Sequence, residues 1–180
     1  MQRKIGNITL EILLGNIVEQ KGIDAVVNAA NAYLRSGGGV AGAIHRAAGA
    51  ELEKATRPLA PIKPGEAVLT AGFNLPNPYI IHCLGPVYGV DEPADKLLAN
   101  CFINALQLAE EKKISSIAFP AISTGAFGYP MEEAARVSLK AIIDKSKDLH
   151  YVKLVRIVLA DKNALEIFES ALKNLLNNNN

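Results

Sequence analysis

Ser115-Ser-Ile-Ala-Phe-Pro120, running into Ile122-Ser-Thr-Gly-Ala-Phe-Gly-Tyr-Pro130, contains one complete α/β unit. Its first part is apolar on both faces, as in a strand covered from both sides. Its second part holds Gly125 and Gly128, which let the main chain turn and approach a ligand without a Cβ in the way. Pro130 suits the first turn of a helix, which the pattern carries to about Lys145.

Upstream, the same order of elements repeats. Ile8 to Leu13 alternates with a period of two and reads as a strand, ended by Gly15-Asn16. Asp24-Ala-Val-Val-Asn28 reads as a buried strand and leads through Asn28-Ala-Ala-Asn31 to the run Ser36-Gly-Gly-Gly-Val40. An alanine-rich helix is predicted from Val40 to about Ala55, stopped by Pro58, Pro61 and Pro64. Glu66 to Ala71 and Tyr79 to Cys83 read as strands, joined through the turn residues Asn74 to Pro78.

Ala94 to Lys113 has a helical stripe containing Leu98, Cys101, Phe102, Ala105 and Ala109. Lys153 to Ala160 reads as the last strand and Ala164 to Leu176 as the last helix, with Asn177 to Asn180 as a frayed tail. Alternation of strands and helices makes the class α/β, with a mixed central sheet between two helical layers. A chain of 180 residues without a repeat or a long linker fits one domain.

Composition narrows the function. Lys+Arg is 19 and Asp+Glu is 18, a formal net charge of +1. With 6% aromatic residues as well, this speaks against a nucleic-acid partner held through its backbone. The basic start, Met1 to Lys4, precedes no long apolar run, and no stretch approaches the ~20 apolar residues of a membrane span. A soluble cytoplasmic protein is therefore expected, with no membrane partner. Cys83 and Cys101 form no CxxC pair and have no histidine cluster beside them, so neither a metal nor another cofactor is expected.

The two glycine-rich segments, Ser36 to Val40 and Ser123 to Gly128, each follow a strand and lead into a helix. At the carboxyl edge of an open sheet they would present free N–H groups and helix N-termini to an anion. Neither matches GxGxxG or GxxxxGK[ST], and no lysine follows to neutralise a triphosphate. Simple flexible turns are the alternative for one such run, and two runs in matched strand-to-helix contexts weigh against it. Asn28 and Asn31 stand where a strand ends, and each could bond sugar hydroxyls or cap a turn.

These segments also carry a family resemblance. Val27-Asn-Ala-Ala-Asn31, Gly37-Gly-Gly-Val40, Gly42-Ala-Ile-His45 with Ala47-Ala-Gly49, Tyr79-Ile-Ile-His82 with Gly85-Pro86, and Ala118 to Pro130 resemble the motifs of the macro domain family, in the same order. The likeness runs from Gly15 to the last helix. It implies a single macro domain over 1–180 that binds ADP-ribose or its derivatives, ADP-ribosylated proteins included.

By that resemblance, Asn16 and the backbone of Ile17 read adenine and Asn31 holds the distal ribose. Gly38, Gly39 and Val40 line the first loop. Ser123, Thr124, Gly125, Ala126 and Phe127 wrap the diphosphate. Three positions depart from the family pattern. Asn16 replaces an aspartate. Ala160 replaces an aromatic that stacks on adenine. Ala41 replaces the aspartate of the most active relatives, although His45 follows one turn later.

The resemblance thus implies either a hydrolase of ADP-ribose conjugates or a reader that binds without chemistry. The conjugates would be O-acetyl-ADP-ribose, ADP-ribosylated acidic side chains or ADP-ribose 1''-phosphate. Asn31 and His45 are its candidate catalytic residues, although a lone histidine on an alanine-rich helix is more often a packed or capping side chain. His82, within an apolar strand, is expected to be structural.

Overall fold

The computed structural model describes residues 1–178. Seven strands form one sheet: β1 (Gln2–Ile5), β2 (Ile8–Leu14), β3 (Ala25–Ala29), β4 (Ala67–Ala71), β5 (Tyr79–Cys83), β6 (Ser116–Phe119) and β7 (Leu154–Leu159). Their spatial order is β1-β2-β7-β6-β3-β5-β4. The five inner strands run parallel, while β1 pairs antiparallel with β2 and β4 antiparallel with β5. The sheet is mixed, as expected.

Helices cover both faces. Strand residues Leu10, Val27, Ile117 and Ile157 meet Leu98 and Phe102 of α3 (Ala94–Glu111), Leu139 of α4 (Met131–Lys145) and Phe168 of α5 (Lys162–Asn177) in the larger core. On the other face Val26, Ile80 and Ala118 meet Ile44 and Ala48 of α1 (Gly39–Ala48) and Leu52 of α2 (Glu51–Thr56). Burial of such apolar side chains on both sides supplies most of the stabilisation, about 25 cal/mol per Å² removed from water. That is why the inner strands read as continuous apolar runs.

Three local readings need correction. The first strand, β1, was not anticipated. Its basic exposed side chains hid it, but Gly6-Asn7 between Ile5 and Ile8 is a hairpin signal, and Gly6 has φ 53. The single helix expected over 40–55 is two, because Gly49 adopts φ 90 and ends α1 by donating to the His45 carbonyl at 3.0 Å. The expected tail begins too early, since Asn177 is still in α5. Asn179 and Asn180 lie outside the described residues.

Sheet order fixes where a ligand can sit. From β3 the chain moves outward to β4 and β5, and from β6 it moves the other way to β7. The neighbours β3 and β6 are therefore the topological switch point, where the loops after the two strands part and leave a crevice. The two glycine-rich segments are those loops.

Candidate functional site

A cavity of about 330 Å³ opens at this switch point, lined among others by Ala30, Asn31, Gly38, Val40, Ser123, Gly125 and Phe127. Two further grooves lie between α3 and α4 and between α4 and α5, and neither is lined by the glycine-rich loops. The first of these is wider, about 630 Å³. Its lining charges are of both signs, and it lacks the convergent main-chain donors that distinguish the switch-point cavity.

Those donors come from both sides. α1 begins at Gly39 with Gly38 as its uncapped N-terminal residue, so its first N–H groups have no side-chain acceptor. In the second loop the chain folds on itself through Gly128 N–H to the Gly125 carbonyl at 3.0 Å and Tyr129 N–H to the Ser123 carbonyl at 2.9 Å. These bonds leave the N–H groups of Gly125, Ala126 and Phe127 without protein acceptors among the described residues. Free amides from two facing loops, one at a helix N-terminus, constitute an anion site.

Tight packing holds the loops in place. A Cβ on Gly42 would strike the carbonyl oxygen of Gly37, so α1 can back the first loop only with glycine there. A Cβ on Gly85 would strike the Ser123 hydroxyl. Ser123 itself holds φ 67, a strained value for a residue with a side chain, and its buried Oγ has no partner. Phe127 packs against the small core of Ala30, Leu34, Ile62 and Leu84, and its carbonyl accepts from Tyr88 N–H at 2.8 Å. The second loop is thus anchored to the support of the first.

Asn31 lines the cavity. Its Nδ2 donates to the Arg35 carbonyl at 2.7 Å, and its Oδ1 accepts from Arg35 N–H at 3.0 Å. The turn-closing reading of this residue therefore holds. One amide hydrogen and one lone pair of the carboxamide are left over from these two bonds. Thr124 stands apart from the lining, with its hydroxyl given to the Ala121 carbonyl at 2.7 Å.

Asn28 does not face the cavity with its side chain. It is 0% exposed, and its Nδ2 lies 3.0 Å from His82 Nδ1 in the core. The other ring nitrogen of His82 lies 2.9 Å from Thr70 Oγ1, which gives its own proton to the Ala71 carbonyl. That network assigns the proton to Nε2 and keeps the ring neutral. Burial, with the nearby His45 adding to it, lowers the His82 pKa to about 3. Strand alternation accounts for this orientation: Asn28 shares a face with Val26, toward α1, while the cavity lies beyond the strand end.

His45 is also turned inward. It is 8% exposed, its Nε2 is buried without a partner, and burial lowers its pKa despite the charge of Glu53. Ala41, one turn earlier, lines the cavity. The packed reading of His45 fits this geometry better than a catalytic one.

Beyond the cavity, next to β6 in the sheet, lie the ends of β7 and β2. Gly15 N–H donates to the Leu159 carbonyl at 2.9 Å and ties the two strand ends together. Asn16 and Ala160 are both exposed there, and Ile17 is buried beneath. Asn16 Oδ1 accepts from Val18 N–H at 3.2 Å, while its Nδ2 points at Glu19 Oε1, 3.3 Å away. None of these residues lines the cavity.

Among the described residues, no three His, Cys, Asp or Glu side chains are grouped as metal ligands, and no helix is long and apolar enough to cross a membrane.

Comparison with known proteins agrees with this geometry. The Macro domain family profile matches residues 27–138. A macro domain-containing protein of Methanosarcina mazei is 43% identical, covering 93% of this chain and 89% of its own. Another, from Caldanaerobacter subterraneus, is 42% identical over 92% of this chain and 97% of its own. Among solved structures, the Oceanobacillus iheyensis macrodomain with ADP has a TM-score of 0.94 at 42% identity, covering 99% of this chain and 97% of its own. The Trypanosoma brucei macrodomain in complex with ADP-ribose has a TM-score of 0.84 at 31% identity, covering 91% and 68%.

Proposed function

The chain belongs to the macro domain family, and on that premise we propose that its crevice binds ADP-ribose and hydrolyses conjugates of it at the distal ribose. The observation that carries the reading is the pair of facing loops with unpaired amides at the switch point. A diphosphate is the anion that two such loops grip from opposite sides. Strand spacing of ~4.8 Å puts the end of β2 about 10 Å from that of β6, a distance that suits an adenosine lying over β7 and β2. The distal ribose then lies by Asn31 on the β3 side. The Trypanosoma brucei relative with ADP-ribose supports the same ligand.

For hydrolysis, a diphosphate oxygen takes a proton from a water held near the anomeric carbon. Where a side-chain carboxylate is joined at that carbon, the water oxygen bonds to the carbon as the carbon's bond to the carboxylate oxygen breaks, and the carboxylate leaves. Where an acetyl group is carried by another ribose hydroxyl, the water oxygen bonds instead to the acyl carbon, whose bond to the ribose oxygen breaks, and that oxygen takes the proton back from the diphosphate. Asn31 fixes the sugar, and the loop amides hold the diphosphate in place, so the protein supplies position and electrostatics more than a base. This suits a site in which Ala41 carries no acid and His45 faces the core. O-acetyl-ADP-ribose and mono-ADP-ribosylated acidic side chains are the substrate class, with ADP-ribose 1''-phosphate as a variant. Buried free thiols at Cys83 and Cys101 accord with the reducing cytoplasm.

Calorimetry against ADP-ribose, AMP, NAD and ATP tests binding, with ADP-ribose expected to bind tightest. Incubation with O-acetyl-ADP-ribose and with a mono-ADP-ribosylated glutamate peptide tests turnover. Ala41 favours a second reading, a reader that binds and does no chemistry. Tight binding with no release above the buffer control would establish the reader and end the hydrolase.

A further inference from the structure

The base shelf has lost the acid that the family pattern places at position 16, yet a carboxylate stands beside it. Glu19 is exposed, and the only hydrogen bond to its carboxylate among the described residues comes from Asn16 Nδ2, 3.3 Å from Oε1. The other acids of this end are engaged. Asp161 accepts from Ala164 N–H at 2.8 Å as the cap of α5, and Glu11 is paired with Arg156 Nε at 2.7 Å. The turn that carries Glu19 is pinned from below, where the buried Gln20 donates through Nε2 to the Asn16 carbonyl at 2.7 Å. Gln20 Oε1 in turn accepts from Arg156 Nη1 at 3.1 Å.

We infer that Glu19 is a specificity-determining residue of the base subsite, where it accepts the exocyclic amino group of adenine. The inference rests on the ADP-ribose reading above and adds a residue to it. The physical case starts from Asn16. Its Oδ1 is held by Val18 N–H and its Nδ2 by Glu19, so the carboxamide has a set orientation with its donor end toward the glutamate. Glu19 keeps a second oxygen and most of its lone pairs, with a full negative charge.

A 6-amino purine over Asn16 donates to that carboxylate in a charge-assisted bond, stronger than a neutral one. A 6-oxo purine places a carbonyl oxygen against the same carboxylate and is repelled. Without an aromatic at Ala160 to hold any base by stacking, the polar edge carries more of the discrimination.

The test compares ADP-ribose with its hypoxanthine analogue, inosine diphosphate ribose, by calorimetry. The wild type is expected to favour ADP-ribose about tenfold, a difference of about 1.4 kcal/mol. Glu19→Gln is isosteric and exposed. It should weaken ADP-ribose about five- to tenfold relative to the inosine analogue and bring the ratio near one. The ratio matters because removing a charge changes the attraction of both dianions alike, and that common effect cancels.

A Glu19→Gln ratio within twofold of a wild-type preference would overturn the inference, as would a wild type that binds both nucleotides equally. A wild type that binds neither would refute the ADP-ribose reading itself. Asn16→Asp provides a cross-check: a carboxylate there should keep the preference for adenine when combined with Glu19→Gln.

Discussion

Gly38→Glu separates binding from folding at the first loop. Gly38 has φ −85, and a Cβ built there meets no atom within 4 Å. A side chain at this position therefore costs the fold nothing through clashes. Instead it enters the cavity that Gly38 lines. One carboxylate about 5 Å from a diphosphate, at an effective dielectric of about 40, costs about 1.7 kcal/mol per unit charge opposed. Two diphosphate charges bring this to about 3 kcal/mol, roughly a hundredfold in affinity. Gly38→Ala is the control, since it adds the methyl without the charge and should lose less than about tenfold. Calorimetry with ADP-ribose measures the loss, and thermal unfolding verifies that the midpoint stays within about 2 °C of wild type. An intact Gly38→Glu protein that binds within threefold of wild type would refute the placement of the diphosphate at this loop.

Asn31→Ala should reduce turnover of O-acetyl-ADP-ribose more than it reduces ADP-ribose affinity, because the carboxamide positions the reacting sugar and contributes little to the grip; steady-state kinetics beside calorimetry will separate the two. Ala41→Asp adds an acid to the cavity lining, and turnover should rise about tenfold by general-base assistance; an unchanged rate in a folded variant would argue for the reader. Gly85→Ala pushes a methyl into the Ser123 hydroxyl and Ile122 Cγ2, with an expected loss of about 1–3 kcal/mol in urea unfolding and a parallel loss of ADP-ribose binding. The pH profile follows from His82, whose folded pKa of about 3 lies below its ordinary 6.5. Between those values the unfolded chain binds a proton that the folded chain refuses, so stability is full above about pH 6.5 and falls toward pH 3 by up to about 1.4 kcal/mol per unit. His82→Leu should be less stable at pH 7, since Asn28 and Thr70 lose their partner, but should show a flatter slope between pH 7 and 5 in urea titrations.

Most of the fold was legible because its signals are local and repeated. Parallel strands covered on both faces must be apolar throughout, and Ile117 to Phe119 and Ala25 to Val27 are. The glycine-rich loops were legible for a similar reason, because strand, glycine turn and helix follow one another without interruption. Side-chain direction was not. Asn28 and Asn31 lie in one short motif and carry the same chemistry, yet one faces α1 and the other the cavity. The difference is a matter of strand phase and of where β3 ends, and only pairing with β5 and β6 sets that. His45 was ambiguous for the same reason, since a helix position names a face but not what the face meets. Glu19 could not be found from a motif at all. Its significance comes from a hydrogen bond to Asn16 and from the engagement of Asp161 as a helix cap and of Glu11 with Arg156, which is set opposite it only once β2 and β7 have paired. Motif spacing therefore located the main-chain half of this site, where geometry follows from the order of elements. The side-chain half depends on which groups tertiary pairing has left free, and discrimination between ligands should reside there.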